Sequence, residues 1–462
     1  MTASTVRPDL EDLRGRVAGV VTGQDEPGYD AARAVWNGMI DRRPWAVVRA
    51  AGVGDVTETI RFAREAGLDL AVRGGGHNVA GHGTVDDGVV LDLGELHDVA
   101  VNPSARTVRV EAGATLADVD AATEPHGLVV PIGVVSGTGI AGLTLGGGLG
   151  WLTRPYGLSA DNLVMVELGT ADGDTLTASE TEHPDLCWAL HGGGGNFGVA
   201  TSFTFRAHAH GPRLFTGSLL YRPDRWRAAW AALQEWTRDL PDPMTTITTT
   251  LTPPPVAELG DQPLLVVGFA WASPDRATGE ALVSRLRRLA PPDEEQVGET
   301  RWTEWQSAFD PLLPKGVRAY WRNTSFDRLD DEVIDILCRR GTEQVWPGTA
   351  FDVHHLGGAF ARVPESATPF PNRAARFWLN IYGFWDEPSD DTARIAFVRG
   401  FSDDMAPFAT GGQYINFQGQ EPSGHRGFDP QAVFGPTKYR RLLDVKRRYD
   451  PDNLFHVNHN IA

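Results

Sequence analysis

Pro131-Ile-Gly-Val-Val-Ser-Gly-Thr-Gly-Ile-Ala-Gly-Leu-Thr-Leu-Gly-Gly-Gly-Leu-Gly150 holds eight glycines in twenty residues, and its remaining positions are mostly small or apolar. A solvated linker is rich in Ser, Asn and charge, and this stretch is not. It is too apolar for disorder and too glycine-rich for an ordinary helix or strand, so the spacing predicts bare backbone packed against a large flat ligand.

Two further clusters flank it. Arg73-Gly-Gly-Gly-His-Asn78 ends a strand-like run, and His191-Gly-Gly-Gly-Gly-Asn-Phe-Gly-Val199 precedes another. Three consecutive glycines bare several backbone N–H groups, a concavity suited to a pyrophosphate. No Gly-Lys-Ser/Thr follows as in a P-loop, and no G-x-G-x-x-G opens a helix as in a dinucleotide fold. Three clusters within the first 200 residues predict a long cofactor touched at several points. His77 stands at the lip of the first.

Outward from the clusters, the 462-residue chain reads as α+β. Residues 1–40 form an acidic, partly helical lead-in. Strands are expected at 45–48, 68–72, 89–93, 108–110, 163–168 and 199–205, with an amphipathic helix over 56–66. After about residue 210 a strand, a Pro/Asp turn and a helix follow one another three times. The runs 214–221, 264–272 and 377–385 precede helices whose apolar stripes are Trp226/Trp230/Leu233, Leu282/Leu286/Leu289 and Ile395/Val398/Phe401. Because 246–252 and 264–272 follow one another without a helix, the expected sheet is antiparallel and backed by helices. A basic helix over 437–448 stops at Asp450-Pro451.

The formal charge of −18 argues against nucleic acid and anionic lipid as partners. No signal pattern and no run of about 18 apolar residues is present, so a cytoplasmic enzyme without membrane attachment is expected. The Ala/Gly/Asp bias and the preference for Arg over Lys suggest a GC-rich bacterial source. Cys187 and Cys338 supply neither a disulfide framework nor a zinc site, and Cys187 reads as a core thiol. His354-His355 and His456/His459 lack the carboxylate spacing of a metal site, so none is expected.

Taken in order, these clusters resemble the berberine-bridge-enzyme-like branch of the FAD-linked oxidases, which share the vanillyl-alcohol-oxidase fold and a PCMH-type FAD-binding domain. Arg73–Asn78 resembles the flavin-attachment loop. Gly139–Gly148 with Gly157-Leu-Ser-Ala-Asp-Asn162 is similar to the isoalloxazine-lining segment, and Trp188–Val199 to a third signature. Tyr449-Asp-Pro-Asp-Asn-Leu-Phe455 and Asn458-His-Asn-Ile461 resemble the C-terminal one. The resemblance implies an FAD domain from residues 1–208 completed by 411–462, with 209–410 as a substrate domain over the reactive face. It also implies FAD bonded to His77 and held by Arg73, Gly74, Gly75, Gly76, Asn78, Val135, Ser136, Gly137, Thr138, Gly139, Gly142, Gly146, Gly147, Gly148, Asp161, Asn162, Gly198, Val199, Asn458 and Asn460. Many members carry a second flavin bond from a cysteine where this chain has Val135, so His77 is the single expected attachment. Thr138 stands where the family often has a valine that influences oxygen access.

Flavin supplies hydride chemistry, and the protein orients the substrate and takes a proton. By the same resemblance the base hangs over the flavin from the substrate domain. Tyr414, in Gly412-Gln-Tyr-Ile-Asn-Phe417, is the first candidate; read as a strand, this segment puts Tyr414 and Asn416 on one face. Tyr382 is the second, sharing a face with Asn380 opposite Leu379 and Ile381. The expected activity is an oxidase of a small alcohol, sugar or amine, of the kind found in secondary metabolism, passing electrons to O2 to give peroxide. A dehydrogenase with another acceptor and a non-catalytic flavin-binding protein are the alternatives. Trp302, Trp305, Trp321, Trp378 and Trp385 could line a pocket for a ring-bearing substrate, but are expected chiefly to fill the core.

Overall fold

The computed structural model describes residues 9–253, 262–421 and 428–462. Strands Ala46–Arg49, Val89–Asp92 and Leu70–Arg73 run parallel, and Val20–Gly23 pairs antiparallel with the first of them. The helix Val53–Ala66 joins two parallel strands and buries Val56, Ile60 and Ala63. A second, all-antiparallel sheet runs Val99–Asn102, Thr107–Glu111, Val199–Arg206, Leu163–Gly169, Thr175–Ser179. The strand Val20–Gly23 lies inside the lead-in that had been expected to be only partly helical.

The third sheet has seven strands in the order Glu294–Arg301, Arg213–Tyr221, Leu264–Trp271, Met244–Leu251, Phe351–His355, Phe377–Trp385, Arg318–Phe326, every pair antiparallel. Met244–Leu251 pairs directly with Leu264–Trp271, as the lack of an intervening helix anticipated. One face packs Val267, Val353 and Leu379 into a core with helices Trp226–Trp236, Arg276–Leu289, Asp331–Thr342 and Asp391–Met405. The stripe expected on Arg276–Leu289 is corrected: Gly279, Val283 and Leu286 are buried, and Leu289 is exposed. Gly279 belongs to the stripe because Trp271 lies across it, where a Cβ would come within 2.8 Å of the indole.

The opposite face follows from register. Thr249 pairs with Asp352, Asp352 with Asn380, Asn380 with Asn323, and Tyr382 with Trp321, so these side chains share one surface. That surface turns toward the glycine clusters. A separate apolar core gathers residues between Leu13 and Ala207 and also takes in Ile415, Val433, Phe434, Leu442, Val445, Phe455 and Ile461. Cys187 is buried within it. Among the described residues, no helix is long and apolar enough to cross a membrane.

Candidate active site

A cavity of about 270 Å³ runs between the glycine clusters and the polar face of the seven-stranded sheet. Strand Leu70–Arg73 delivers the first wall. Arg73 is buried, and its guanidinium donates to Asp92 at 2.8 Å and to the Ala32 carbonyl, so its charge is spent inside the protein. Gly74–Gly76 then turn beneath the second cluster. Gly75 and Gly139 touch backbone to backbone, and a Cβ on Gly75 would stand 2.7 Å from Gly139 Cα. His77 stacks on Trp36 with centroids 4.6 Å apart and planes at 21°. Burial pushes the His77 imidazole down to about 4, so at neutral pH it is uncharged with a free ring lone pair. Asn78 Oδ1 accepts from Ala80 N at 3.0 Å and fixes the turn.

In the second cluster Val135, Thr138, Gly139, Gly142 and Gly146 line the cavity. Contrary to the sequence reading, a helix forms here, Ile140–Gly146. Ile140, Ala141 and Leu145 anchor it in the core, and tertiary packing outweighs the poor propensity of glycine. Gly142 faces the cavity, with nothing within 4 Å of a Cβ placed on it.

Several residues expected at the cofactor do not line the cavity. Ser136 gives its N–H to Asp310 at 2.8 Å and its hydroxyl to the same carboxylate, and Gly137 beside it also lies outside. Gly147 packs on Phe370, and Gly148 packs on Ser159 and donates its N–H to Tyr414 Oη at 3.0 Å. Asp161 forms a buried two-pronged pair with Arg373 at 2.8 and 2.7 Å. Asn162 binds the carbonyls of Tyr156 and Leu158, and His208. Asp161 and Asn162 thus hold the loop that supports the glycine segment. Asn460 also lies outside the lining, its Oδ1 buried without a partner among the described residues.

Gly198 and Val199 line the third wall, together with Gly194, Gly195, Asn196 and Ala200. Asn458 closes it, its Nδ2 donating to Gly195 O at 3.2 Å while its Oδ1 is buried and unpartnered among the described residues. His459 lines the cavity too, and burial pushes it down to about 4.

On the sheet side the two tyrosines differ. Tyr414 is not on a strand: Ile415–Phe417 is a single 3-10 turn, with Asn416 Nδ2 reaching back to Tyr414 Oη at 3.0 Å and to Leu143 O at 3.0 Å. The two side chains still meet, through that bond rather than by alternation. Tyr414 Oη accepts from Gly148, Leu149 and Asn416. Burial raises its pKa while those donors pull it down. Tyr382 instead donates to Asp352 Oδ2 at 2.6 Å, and Asn380 Nδ2 bridges the pair at 2.9 Å to Asp352 Oδ1 and 3.1 Å to Tyr382 Oη. Burial, and then the Asp352 charge, hold the Tyr382 phenol well above its ordinary value. Tyr382, Tyr414, Asn416 and Asp352 line the cavity, and Asn380 stands behind them.

Asp352 and Trp36 were not singled out in the sequence. A carboxylate between Phe351 and Val353 in a buried strand was the available signal for the first. Both readings open for the tryptophans hold for Trp321: it is buried, and it also lines the cavity. Trp302, Trp305, Trp378 and Trp385 are buried as expected.

These walls fit a flavin dinucleotide. Gly142 and Gly195 face the space with no protein atom within 4 Å of where a Cβ would stand, and Asn458 Oδ1 and His459 Nε2 are buried polar atoms left without a partner among the described residues. Backbone N–H groups rather than a spare cation are offered to phosphate, since Arg73 is already paired.

Comparison with known proteins agrees. Residues 44–179 match the family model described as an FAD binding domain, and residues 413–462 the one described as berberine and berberine like. The chain is 30% identical to the FAD-linked oxidoreductase pgmH of Aspergillus terreus, covering 97% of this chain and 94% of that one. Its fold is similar to 6-hydroxy-D-nicotine oxidase from Arthrobacter nicotinovorans, with a TM-score of 0.83, 24% identity and coverage of 96% and 98%. It is also similar to glucooligosaccharide oxidase from Acremonium strictum, whose structure carries a 6-S-cysteinyl, 8α-N1-histidyl FAD, with a TM-score of 0.83, 19% identity and coverage of 97% and 99%.

Proposed function

The chain belongs to the berberine-bridge-enzyme-like FAD-linked oxidoreductases, and from that premise we propose that it is an oxidase of a small organic substrate, with FAD bonded to His77 alone. In this reading residues 1–208 and 411–462 hold the cofactor, and 209–410 present the substrate. The observation that carries the activity is the Tyr382–Asp352 pair, 2.6 Å apart and facing the same cavity as the glycine loops.

FAD supplies the two-electron acceptor for a hydride leaving a substrate C–H bond. The neutral, lone-pair-bearing state of His77 suits it as the attachment point, and Trp36 keeps its ring in one orientation. Val135 offers no second bonding group. The walls at Gly74–Gly76, Gly139–Gly142 and Gly194–Val199, with Asn458, are the surfaces that would hold the cofactor.

A free Tyr382 phenolate is disfavoured beside Asp352. The proton therefore moves as a relay: the substrate hydroxyl gives its proton to Tyr382 Oη as the phenol proton passes to Asp352 Oδ2, and no isolated phenolate forms. Asn380 Nδ2 steadies both oxygens. Tyr414, the other candidate base, has an oxygen already engaged by three donors, which supports a positioning role beneath the glycine segment.

The test begins with acid precipitation of the purified protein. Visible flavin absorbance should stay with the pellet, and a His77→Ala variant should release it or purify without it. Substrate addition should then yield peroxide in step with turnover. Thr138, which lines the cavity where oxygen access is at stake, is the residue that favours a dehydrogenase; turnover with an artificial acceptor but no peroxide would establish that second reading.

A further inference from the structure

We propose that Trp36 is a positioning residue for flavin attachment, and that the strap Trp36-Asn-Gly-Met39 makes formation of the bond to His77 depend on the docked seven-stranded sheet. This rests on the proposed His77 linkage and says which part of the chain prepares it. The strap lies in the N-terminal lead-in. Its apolar members Trp36 and Met39 nevertheless pack with the core of the seven-stranded sheet, and so does Val79, two residues beyond His77.

On one side the strap is hydrogen-bonded to residues 313–319, which lead into the edge strand Arg318–Phe326. Trp36 Nε1 donates to Leu313 O at 3.1 Å, and Trp36 O accepts from Gly316 N at 2.8 Å. Gly38 N donates to Val317 O at 2.8 Å. The buried Asn37 closes on Ala319 with both ends of its amide: Oδ1 accepts from Ala319 N at 3.0 Å and Nδ2 donates to Ala319 O at 2.8 Å. On the other side the strap grips the attachment loop before and after the histidine. Trp36 N donates to Gly76 O at 3.0 Å, and Asn37 Nδ2 to Val79 O at 2.7 Å.

The His77 ring itself hydrogen-bonds to no other residue among the described ones. It lines the cavity, while Trp36 stands behind it, outside the lining. The stack at 4.6 Å and 21° is therefore what holds the imidazole in one rotamer. Attachment asks for that. In this step an imidazole nitrogen lone pair forms the C–N bond to the flavin 8α-carbon. That carbon releases one hydrogen as a proton, the imidazole releases its N–H proton, and two electrons and two protons end on the flavin ring. Oxygen then takes those electrons and protons as peroxide and restores the oxidised ring. Trp36 exchanges nothing in the step. It fixes the direction of the nucleophile, and a misplacement of about 1 Å costs on the order of 100-fold in rate.

The experiment uses the full-length chain, made flavin-free in riboflavin-starved cells and mixed with FAD in air. Reversible binding is read from quenching of FAD fluorescence, and attachment from flavin fluorescence that stays with the protein on a denaturing gel. Varying the FAD concentration separates affinity from the limiting rate of attachment. Trp36→Leu keeps an apolar side chain and removes the flat face; it should attach flavin roughly 30- to 100-fold more slowly while binding FAD with nearly unchanged affinity. Trp36→Phe restores a ring face and loses only the bond to Leu313, so its rate should lie within about fivefold of wild type. Gly38→Ala leaves Trp36 and His77 intact, but its Cβ would meet the Gly316 carbonyl oxygen and wedge the strap from the sheet. It should slow attachment about tenfold or more, again with FAD still bound. Attachment by Trp36→Leu at the wild-type rate would overturn the positioning role. So would affinity and rate falling together in Trp36→Leu, since that marks a purely structural residue. A wild-type rate in Gly38→Ala would overturn the dependence on the sheet. Wild-type protein that binds FAD and never retains it on the gel would refute the His77 linkage itself, and this proposal with it.

Discussion

A single methyl group placed on Gly142 should separate the fold from its cofactor. Gly142 lies in helix Ile140–Gly146, faces the cavity, and has no protein atom within 4 Å of where a Cβ would stand. Gly142→Ala therefore creates no clash in the flavin-free protein. It replaces the worst ordinary helix former with the best, a gain of about 1 kcal/mol, or ~2 °C in melting temperature for a chain of this size. The same methyl takes up space at the surface that would meet the flavin. Overpacking of that kind costs about 1–3 kcal/mol, which weakens cofactor binding roughly 5- to 150-fold. The assay, in a His77→Ala background where no bond retains FAD, is the ratio of visible flavin absorbance to protein absorbance after incubation with FAD and desalting, alongside thermal unfolding of the flavin-free protein. Gly75→Ala is the contrast: its Cβ would stand 2.7 Å from Gly139 Cα, backbone against backbone, so stability and flavin content should fall together. A Gly142→Ala variant with full flavin content would refute the assignment of that helix face to the cofactor. One that loses stability before any flavin is added would refute the packing argument.

Tyr382→Phe should lower kcat by roughly 10²–10⁴ with little change in KM, as loss of a proton acceptor does, whereas Tyr414→Phe should chiefly lower flavin content; steady-state kinetics and absorbance on the two variants separate these outcomes. Acid should destabilise the fold steeply. The half-buried His82 and the buried His355 and His459 have pKa values held below the ordinary 6.5 by desolvation, His459 at about 4. The unfolded chain takes up protons that the folded one refuses, so stability is complete above 6.5 and falls as pH drops toward 4. The slope is about 1.4 kcal/mol per pH unit for each histidine, to be read from urea midpoints at successive pH values. Asp120 acts in the opposite sense: burial raises its carboxyl to about 7, so its contribution is present at low pH and is lost as pH rises through 7. Asp120→Asn keeps an acceptor for the Trp302 indole, bonded at 2.7 Å, and should gain on the order of 1–3 kcal/mol above pH 7, measured by the same unfolding series.

The glycine clusters were legible because few structures other than a ligand cradle need so much bare backbone in so apolar a stretch. The antiparallel sheet was legible from two adjacent strand runs with no helix between them. The helix at Ile140–Gly146 was not, because its stability comes from Ile140 and Leu145 meeting a distant core, while local propensity argues against it. The Tyr414 segment misled for a related reason: alternation of residues describes a strand, but Asn416 folds back onto Leu143 and closes a turn instead. Asp352 escaped notice because its partners come from register. Thr249, Asn380 and Tyr382 lie between 28 and 103 residues away and meet it only once three strands are aligned. Asp161 and Asn162 were placed in the right neighbourhood, but their side chains turn toward Arg373 and His208, contacts no local pattern reveals.

Ile461 is fully buried, and its N–H donates to Asn196 Oδ1 at 3.0 Å, fastening the segment after Phe455 beside the third glycine cluster. This bond sets a timetable for synthesis. At about 5–20 residues per second, a ribosome needs roughly 13 to 50 s after making Asn196 to make Ile461. Throughout that interval the first 200 residues lack the apolar groups that complete their core. The wall at the third glycine cluster can therefore close only once residues 411–462 have been made, so the surfaces that would hold the flavin are not complete when the first 200 residues emerge.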